Sequence, residues 1–220
     1  MEGSDSYMSQ TIANHLLDIQ AVTLSPNEPF TWSSGLKSPI YCDNRLTMSY
    51  PRVRKDIAKG LAQLIKTYAP DADVVAGTAT AGIPHAAWVA EELQLPMIYV
   101  RGSAKGHGKK NKIEGHLPAS SKVVIIEDLI STGGSSIAAA DAVREAGGEV
   151  SFVAAIFSYQ LNAAELAFKQ ANLDHHVLCA YSELIEQAKE RGFISAHEQQ
   201  KLTLWRENPQ NEDWLTVRSS

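Results

Sequence analysis

The sequence predicts an α/β fold built on a mostly parallel central sheet with helices on both faces. Three observations lead there. Apolar runs of strand length recur as DVVAG, PMIYVR, KVVIIEDLI, EVSFVAAIFSY and HHVLCAYS; segments of helical period fill the intervals; and Gly, Pro and Asn punctuate the joins. Strands buried on both faces read as continuous aliphatic runs rather than alternating ones, and KVVIIEDLI reads that way. A chain of 220 residues is expected to form one domain, 1–220, that buries roughly 70% of the surface its unfolded form exposes. The sequence contains no internal repeat and no low-complexity tract.

The elements follow in order. The polar opening MEGSDSYM reads in part as added sequence, residues 1–7, with Met8 as a natural start. Ile12, Leu16 and Ile19 recur at helical spacing, and Val53, Ile57, Leu61, Leu64 and Tyr68 repeat the pattern after Pro51. Between them PFTWSSGLKSPIYCDNR, Pro29 to Arg45, has no clean period. DVVAG is a strand, PHAAWVAEEL a helix, and PMIYVR and KVVIIEDLI are strands. The helix SSIAAADAVREAGG ends on glycine, where a left-handed cap is wanted. EVSFVAAIFSY, NAAELAFKQA, HHVLCAYS and ELIEQAKERG continue the alternation, and Ser195 to Glu198 is a capping box that opens a last helix through Trp205.

Composition narrows the function. A net charge of -5 excludes a general affinity for nucleic acid or anionic membrane, so any anion site is local. Cys42 and Cys179 have no metal-type spacing and no disulfide framework, which points to a reducing compartment, the cytoplasm. No run of about 18 apolar residues exists to span a bilayer. His175, His176 and Cys179 are expected to flank a strand rather than bind metal, and His85 to pack at a helix N-terminus.

In open parallel sheets ligands bind beyond the carboxyl ends of the strands. Three loops at that edge are unusual: GTATAGIPHA; RGSAKGHGKKNKIEG, which carries Arg101, Lys105, His107, Lys109, Lys110 and Lys112; and EDLISTGGSS. In the last, the backbone N–H groups and the hydroxyls of Ser131, Thr132 and Ser135 can surround a phosphate at the start of a helix, with Gly133 and Gly134 removing Cβ obstruction. The loop lacks the GxxxxGK[ST] of a nucleotide P-loop, and no GxGxxG is present. Glu127 and Asp128, just before it, would repel a phosphate unless they face sugar hydroxyls or a hydrated divalent ion. A ribose 5-phosphate with Mg²⁺ satisfies both demands. Adjacent strand residues point to opposite faces, so both acids reach one ligand only if the pleat breaks.

VVIIEDLISTGG resembles the phosphoribosyl-pyrophosphate signature of the type I phosphoribosyltransferases. FTWSSGLKSPIYCDNR, GTATAGIPHAAWVAEELQLPM and VRGSAKGHGKKNKIEG extend the likeness, from about Ile12 to Ala180, to the branch that uses orotate as acceptor. The resemblance implies the type I phosphoribosyltransferase fold: an N-terminal helix and base-binding hood in 8–50, a core in 51–182 and C-terminal helices in 183–220. It implies Mg²⁺-dependent transfer of ribose 5-phosphate from phosphoribosyl pyrophosphate (PRPP) to orotate in pyrimidine biosynthesis. Leu129, Ile130, Ser131, Thr132, Gly133, Gly134 and Ser135 would bind PRPP. Glu127 and Asp128 would hold the ribose hydroxyls, with Asp128 also reaching Mg²⁺ through water or the reacting centre. Arg101, Lys105 and His107 match an R-x-x-x-K-x-H loop that stabilises pyrophosphate and, in relatives, acts in the neighbouring subunit's site, so a homodimer with loop 101–115 acting across the interface is expected. Ser131, Lys37 and Tyr41 would meet orotate, although Phe30, Trp32 and Tyr41 also read as ordinary core aromatics.

The chain departs from relatives at Gly102, where a second basic residue often stands and for which Lys109 or Lys110 could substitute. It departs again at Ser33 and Ala81, where some carry lysine, and in FSYQ, 157–160, where some carry arginine. Two alternatives remain open at this level: a purine-type phosphoribosyltransferase, and a non-catalytic regulator that senses PRPP.

Overall fold

Residues 2–32, 35–102 and 112–217 are described by the computed structural model. Helix α1 (Glu2–Asp18) starts well ahead of the predicted one, since the polar first residues carry no period to betray it; Ile12, Leu16 and Met8 are the side chains it lays on the core. The aperiodic segment then folds into short antiparallel pieces: β1 (Val22–Leu24), β2 (Phe30–Thr31), β3 (Lys37–Ser38) and β4 (Ile40–Cys42). β1 pairs with β4, placing Thr23 opposite Tyr41, and β2 pairs with β3. Strands this short lie below the length at which alternation becomes visible in a sequence.

A 3₁₀ turn, Asn44–Ser49, leads into α2 (Pro51–Tyr68), whose first position is proline, a residue that costs nothing where the N–H has no helical partner. Val53, Ile57, Leu61 and Ile65 form its buried stripe, while Tyr68 is half exposed and stacks on His176 with ring centroids 3.6 Å apart. The rest alternates as expected: β5 (Val74–Thr78), α3 (Gly82–Leu93), β6 (Met97–Val100), β7 (Ile113–Glu114), β8 (Lys122–Ile130), α4 (Gly134–Glu145), β9 (Glu149–Ser158), α5 (Asn162–Gln170), β10 (His175–Ala180), α6 (Tyr181–Glu190) and α7 (Ala196–Glu207). The predicted capping box at the start of α7 is present, with Ser195 Oγ accepting from the Glu198 N–H at 3.2 Å. Gly147, just past the end of α4, is left-handed at φ +89°.

The main sheet has the order β10-β9-β8-β5-β6-β7, parallel throughout except for the β6–β7 pair. β7 was not foreseen; it is a two-residue return that pairs Tyr99 with Glu114 and Val100 with Ile113 and closes the base of the basic loop. Alternation along β8 divides the core. Val124 and Ile126 face α1, α2 and α6 through Leu16, Leu61 and Leu184, whereas Val123 and Ile125 face α4 and α5 through Val143 and Phe168. The chain runs outward from β5 to β6 and then returns to β8 on the other side of β5. The switch point therefore lies between β5 and β8, where an open parallel sheet leaves a crevice for ligand.

Candidate active site

Thr78 at the end of β5 and Glu127 near the end of β8 meet at that switch point, Thr78 Oγ1 donating to Glu127 Oε1 at 2.7 Å. Glu127 is 4% exposed. Its Oε2 accepts from Ser135 Oγ at 2.8 Å and from Ser136 Oγ at 3.0 Å, and its Oε1 also accepts from the Asp128 N–H at 3.1 Å. A buried carboxylate is tolerable because it is met by this many donors.

β8 stays regular through both acids: Glu127 pairs with Ala155 and Leu129 with Phe157 without a register shift between them. Glu127 tucks beneath α4; Asn44 Nδ2 donates to the backbone carbonyl oxygen of Asp128 at 2.6 Å, and the Asp128 carboxyl lies close enough to that of Glu127 for the two to interact. Burial, and next the charge of Glu127, push the Asp128 carboxyl well above the usual carboxylate range. A group so placed favours a proton or a cationic neighbour.

Helix α4 opens at Gly134 after Gly133, which has φ +81° and carries no side-chain cap. The first turn of an α-helix has N–H groups without helical partners, so this end presents amides to an anion. The two glycines differ in their reasons. A Cβ on Gly133 would come 2.8 Å from Phe168 Cε2, whereas one on Gly134 would meet nothing within 4 Å. The obstruction that glycine avoids at 133 is thus the Phe168 ring and a left-handed backbone. Ser131 is partly buried and Thr132 and Ser135 are exposed. Ser135 lies inside the first helical turn rather than before it. Leu129 is partly buried and Ile130 is in the core, its carbonyl accepting from the Tyr159 N–H at 3.1 Å.

The segment after β4 is pinned to this edge. Asn44 is 1% exposed, its carbonyl accepts from Thr47 Oγ1 at 2.5 Å, and Thr47 Oγ1 lies 3.2 Å from His85 Nε2. The single Thr47 proton goes to the carbonyl, so His85 must present N–H at Nε2, which leaves Nδ1 as the buried atom without a hydrogen-bond partner. Burial depresses the His85 imidazole from 6.5 to about 4. His85 sits within α3 as expected, but as a neutral link to the hood rather than as simple packing.

Tyr41 on β4 is 44% exposed, with its ring 5.7 Å from that of Phe30. Lys37 Nζ donates to Thr31 Oγ1 at 2.8 Å, and the Lys37 carbonyl accepts from Trp205 Nε1. Trp32 is partly buried and packs on the edge of the core, against Tyr159 and Trp205. Phe157 and Tyr159 are buried, so FSYQ supplies packing where some relatives carry a cation. Ala81 precedes the first turn of α3. Arg101 follows β6, with Nε 3.3 Å from Glu114 Oε1 and its N–H donating to the Lys112 carbonyl. Lys105, His107, Lys109, Lys110 and Ser33 lie outside the described residues. Among the described residues no group of three or more His, Cys, Asp and Glu could hold a metal.

Sequence reading missed Thr78, Ser136 and Asn44. Thr78 and Ser136 lie in loops whose composition is legible, and Asn44 in the aperiodic hood segment, but only the buried partner each meets in the fold gives it an individual role.

Acids at a switch point beside the uncapped N-terminus of a helix suit a sugar phosphate, the ligand class of the phosphoribosyltransferases. A family model for the phosphoribosyl transferase domain matches residues 49–174. An orotate phosphoribosyltransferase of Halalkalibacterium halodurans is 62% identical over 208 residues, covering 94% of this chain and 99% of that one. Among solved structures, Leishmania donovani UMP synthase superposes with a TM-score of 0.78 at 28% identity, over 90% of this chain and 42% of that longer one. The orotate phosphoribosyltransferase of Aeropyrum pernix gives 0.72 at 26%, over 84% and 99%. The chain belongs to the orotate phosphoribosyltransferase family of pentosyltransferases.

Proposed function

We propose that this chain transfers the ribose 5-phosphate group of PRPP to orotate in an Mg²⁺-dependent reaction, giving orotidine 5′-monophosphate and pyrophosphate for pyrimidine synthesis. The observation that carries the reading is the uncapped N-terminus of α4 immediately beyond two acids on β8. Amides of the loop 131–135 would grip the 5-phosphate, setting the sugar along the carboxyl edge of the sheet with its anomeric carbon near Asp128. As the bond from C1 to pyrophosphate breaks, its electron pair leaves with pyrophosphate and positive charge develops on the sugar. The Asp128 carboxylate would stabilise that charge, and the new bond forms from the orotate ring nitrogen, whose N–H proton is released to solvent. Arg101, Lys105 and His107 would balance the leaving pyrophosphate, each preorganised donor being worth about 10²–10³ in rate.

Tyr41, Lys37 and Ser131 are proposed for orotate; the exposed Tyr41 ring offers a face for stacking. The donor set fits a metal held mainly through substrate, because Glu127 is engaged by internal donors and Asp128 is a desolvated acid whose charge invites a cation. When bound, Mg²⁺ would neutralise pyrophosphate charge. A homodimer is proposed as the working unit, with loop 101–115 reaching the partner's site; Leu46 and Tyr50, exposed beside the hood, suit a protein interface. No described helix is long and apolar enough to cross a membrane, and both cysteines are free and buried, in keeping with a cytoplasmic location.

Mixing the protein with orotate, PRPP and Mg²⁺ and following orotate absorbance tests the reading. Loss of absorbance is expected. Turnover with purine bases alone would favour a purine enzyme, and PRPP binding without turnover would favour a sensor.

A further inference from the structure

Both glutamate oxygens of Glu127 are already engaged inside the protein, and this restricts what the neighbouring hydroxyls can do. A serine hydroxyl has one proton. Ser135 Oγ and Ser136 Oγ both donate to Glu127 Oε2, at 2.8 and 3.0 Å, so neither proton is directed at an anion outside. Phosphate is acceptor only at full ionisation, so while this arrangement holds the loop must grip it through amides and the hydroxyls of Ser131 and Thr132. Thr78 brings the third hydroxyl to the carboxylate. Its hydroxyl lies 2.7 Å from Glu127 Oε1 and 3.1 Å from the Ile126 carbonyl, and the single proton goes to the nearer, charged acceptor. Thr78 and Ser136 are 3% and 0% exposed. The space is closed on the other side as well, since a Cβ on Gly82 would come 2.5 Å from Thr78 Oγ1. Thr78 therefore cannot turn away easily, and Glu127 is held between the end of β5 and the first turn of α4.

We propose that Thr78 is a positioning residue for PRPP: by anchoring Glu127 it fixes the Ser135–Ser136 turn, and with it the amides that hold the 5-phosphate. The proposal rests on the phosphate-loop reading above. Thr78 touches no substrate in this account; its effect passes through Glu127.

The test compares wild type with Thr78→Val, which keeps the shape without the hydroxyl, Thr78→Ser, which restores the hydroxyl, and Ser136→Ala, which releases the carboxylate from the helix side. PRPP binding is read by calorimetry, and KM for PRPP and for orotate in the absorbance assay. Thr78→Val and Ser136→Ala are expected to weaken PRPP binding about tenfold, the loss typical of one hydrogen bond to a charged acceptor, with KM for orotate within about twofold of wild type. Thr78→Ser is expected to recover PRPP affinity. In a Glu127→Gln background Thr78→Val is expected to add little, because the two act as a unit. If the Thr78→Val protein does not fold, Ser136→Ala and Thr78→Ser carry the comparison. Unchanged PRPP affinity in Thr78→Val with an active wild type overturns the proposal alone. Equal losses for orotate and PRPP, accompanied by a lower Tm, would assign Thr78 to stability and also overturn it. A wild type that binds no PRPP overturns the phosphate-loop reading and the proposal together.

Discussion

Asn44 and Asp128 lie far apart in sequence, yet the Asn44 side-chain amide donates to the Asp128 carbonyl oxygen at 2.6 Å and ties the hood to the end of β8. Asn44 is buried, so removing its amide leaves a carbonyl without its donor. Asn44→Ala is expected to cost about 1–3 kcal/mol in denaturant unfolding and to lower turnover, because Asp128 then loses its fixed position. An unchanged unfolding midpoint would contradict this.

The same hood segment meets a neutral histidine on α3, through Thr47. Burial holds the His85 imidazole at about 4, below its ordinary 6.5, so the unfolded chain takes up a proton that the folded one refuses as pH falls between those values. Stability supported by neutral His85 is complete above pH 6.5 and lost progressively down to about 4, by roughly 3 kcal/mol. Chemical denaturation as a function of pH should show a shallower acid limb for His85→Gln than for wild type.

Asp128 behaves in the opposite sense. Its carboxyl is raised by burial and by Glu127, so the folded state prefers the protonated form, and the unliganded protein loses stability as pH rises from the ordinary carboxylate range toward the raised one. Asp128→Asn removes that penalty. Its Tm without PRPP or Mg²⁺ should exceed that of wild type by a gap that widens from pH 4 to pH 8, with each kcal/mol worth roughly 2–4 °C. Its turnover should nonetheless collapse. A gap independent of pH would contradict the account.

Gly133 combines a left-handed backbone with contact against Phe168. Gly133→Ala is expected to cost about 1–3 kcal/mol and to raise KM for PRPP. Adding Phe168→Leu should relieve the steric part while leaving the backbone part. Thermal unfolding of the single and double variants separates the two.

Lys105→Ala is expected to reduce turnover about 10²–10³-fold. If the loop acts across a dimer, mixing Lys105→Ala chains with Asp128→Asn chains restores one intact site per heterodimer. Activity recovered on mixing measures this directly; none would mean that the loop serves its own chain.

The sequence by itself determined the alternation of strands and helices from Pro51 to Trp205. Apart from β7, each strand there is a largely apolar run, and helices carry a buried stripe such as Val53, Ile57 and Leu61, so burial dictates local structure. It also marked the loop proposed here for the 5-phosphate, because glycine at 133 and an acid pair at 127–128 are legible without neighbours. Which of the two acids is taken up by internal donors follows only from the packed fold. Glu127 and Asp128 are adjacent and chemically similar, but Glu127 is met by the hydroxyls of Thr78, Ser135 and Ser136, whereas Asp128 keeps a desolvated carboxyl and is tied to the hood through its backbone carbonyl. The hood strands and β7 were equally unreadable, since two- or three-residue strands are specified by their partners across space rather than by any period of their own.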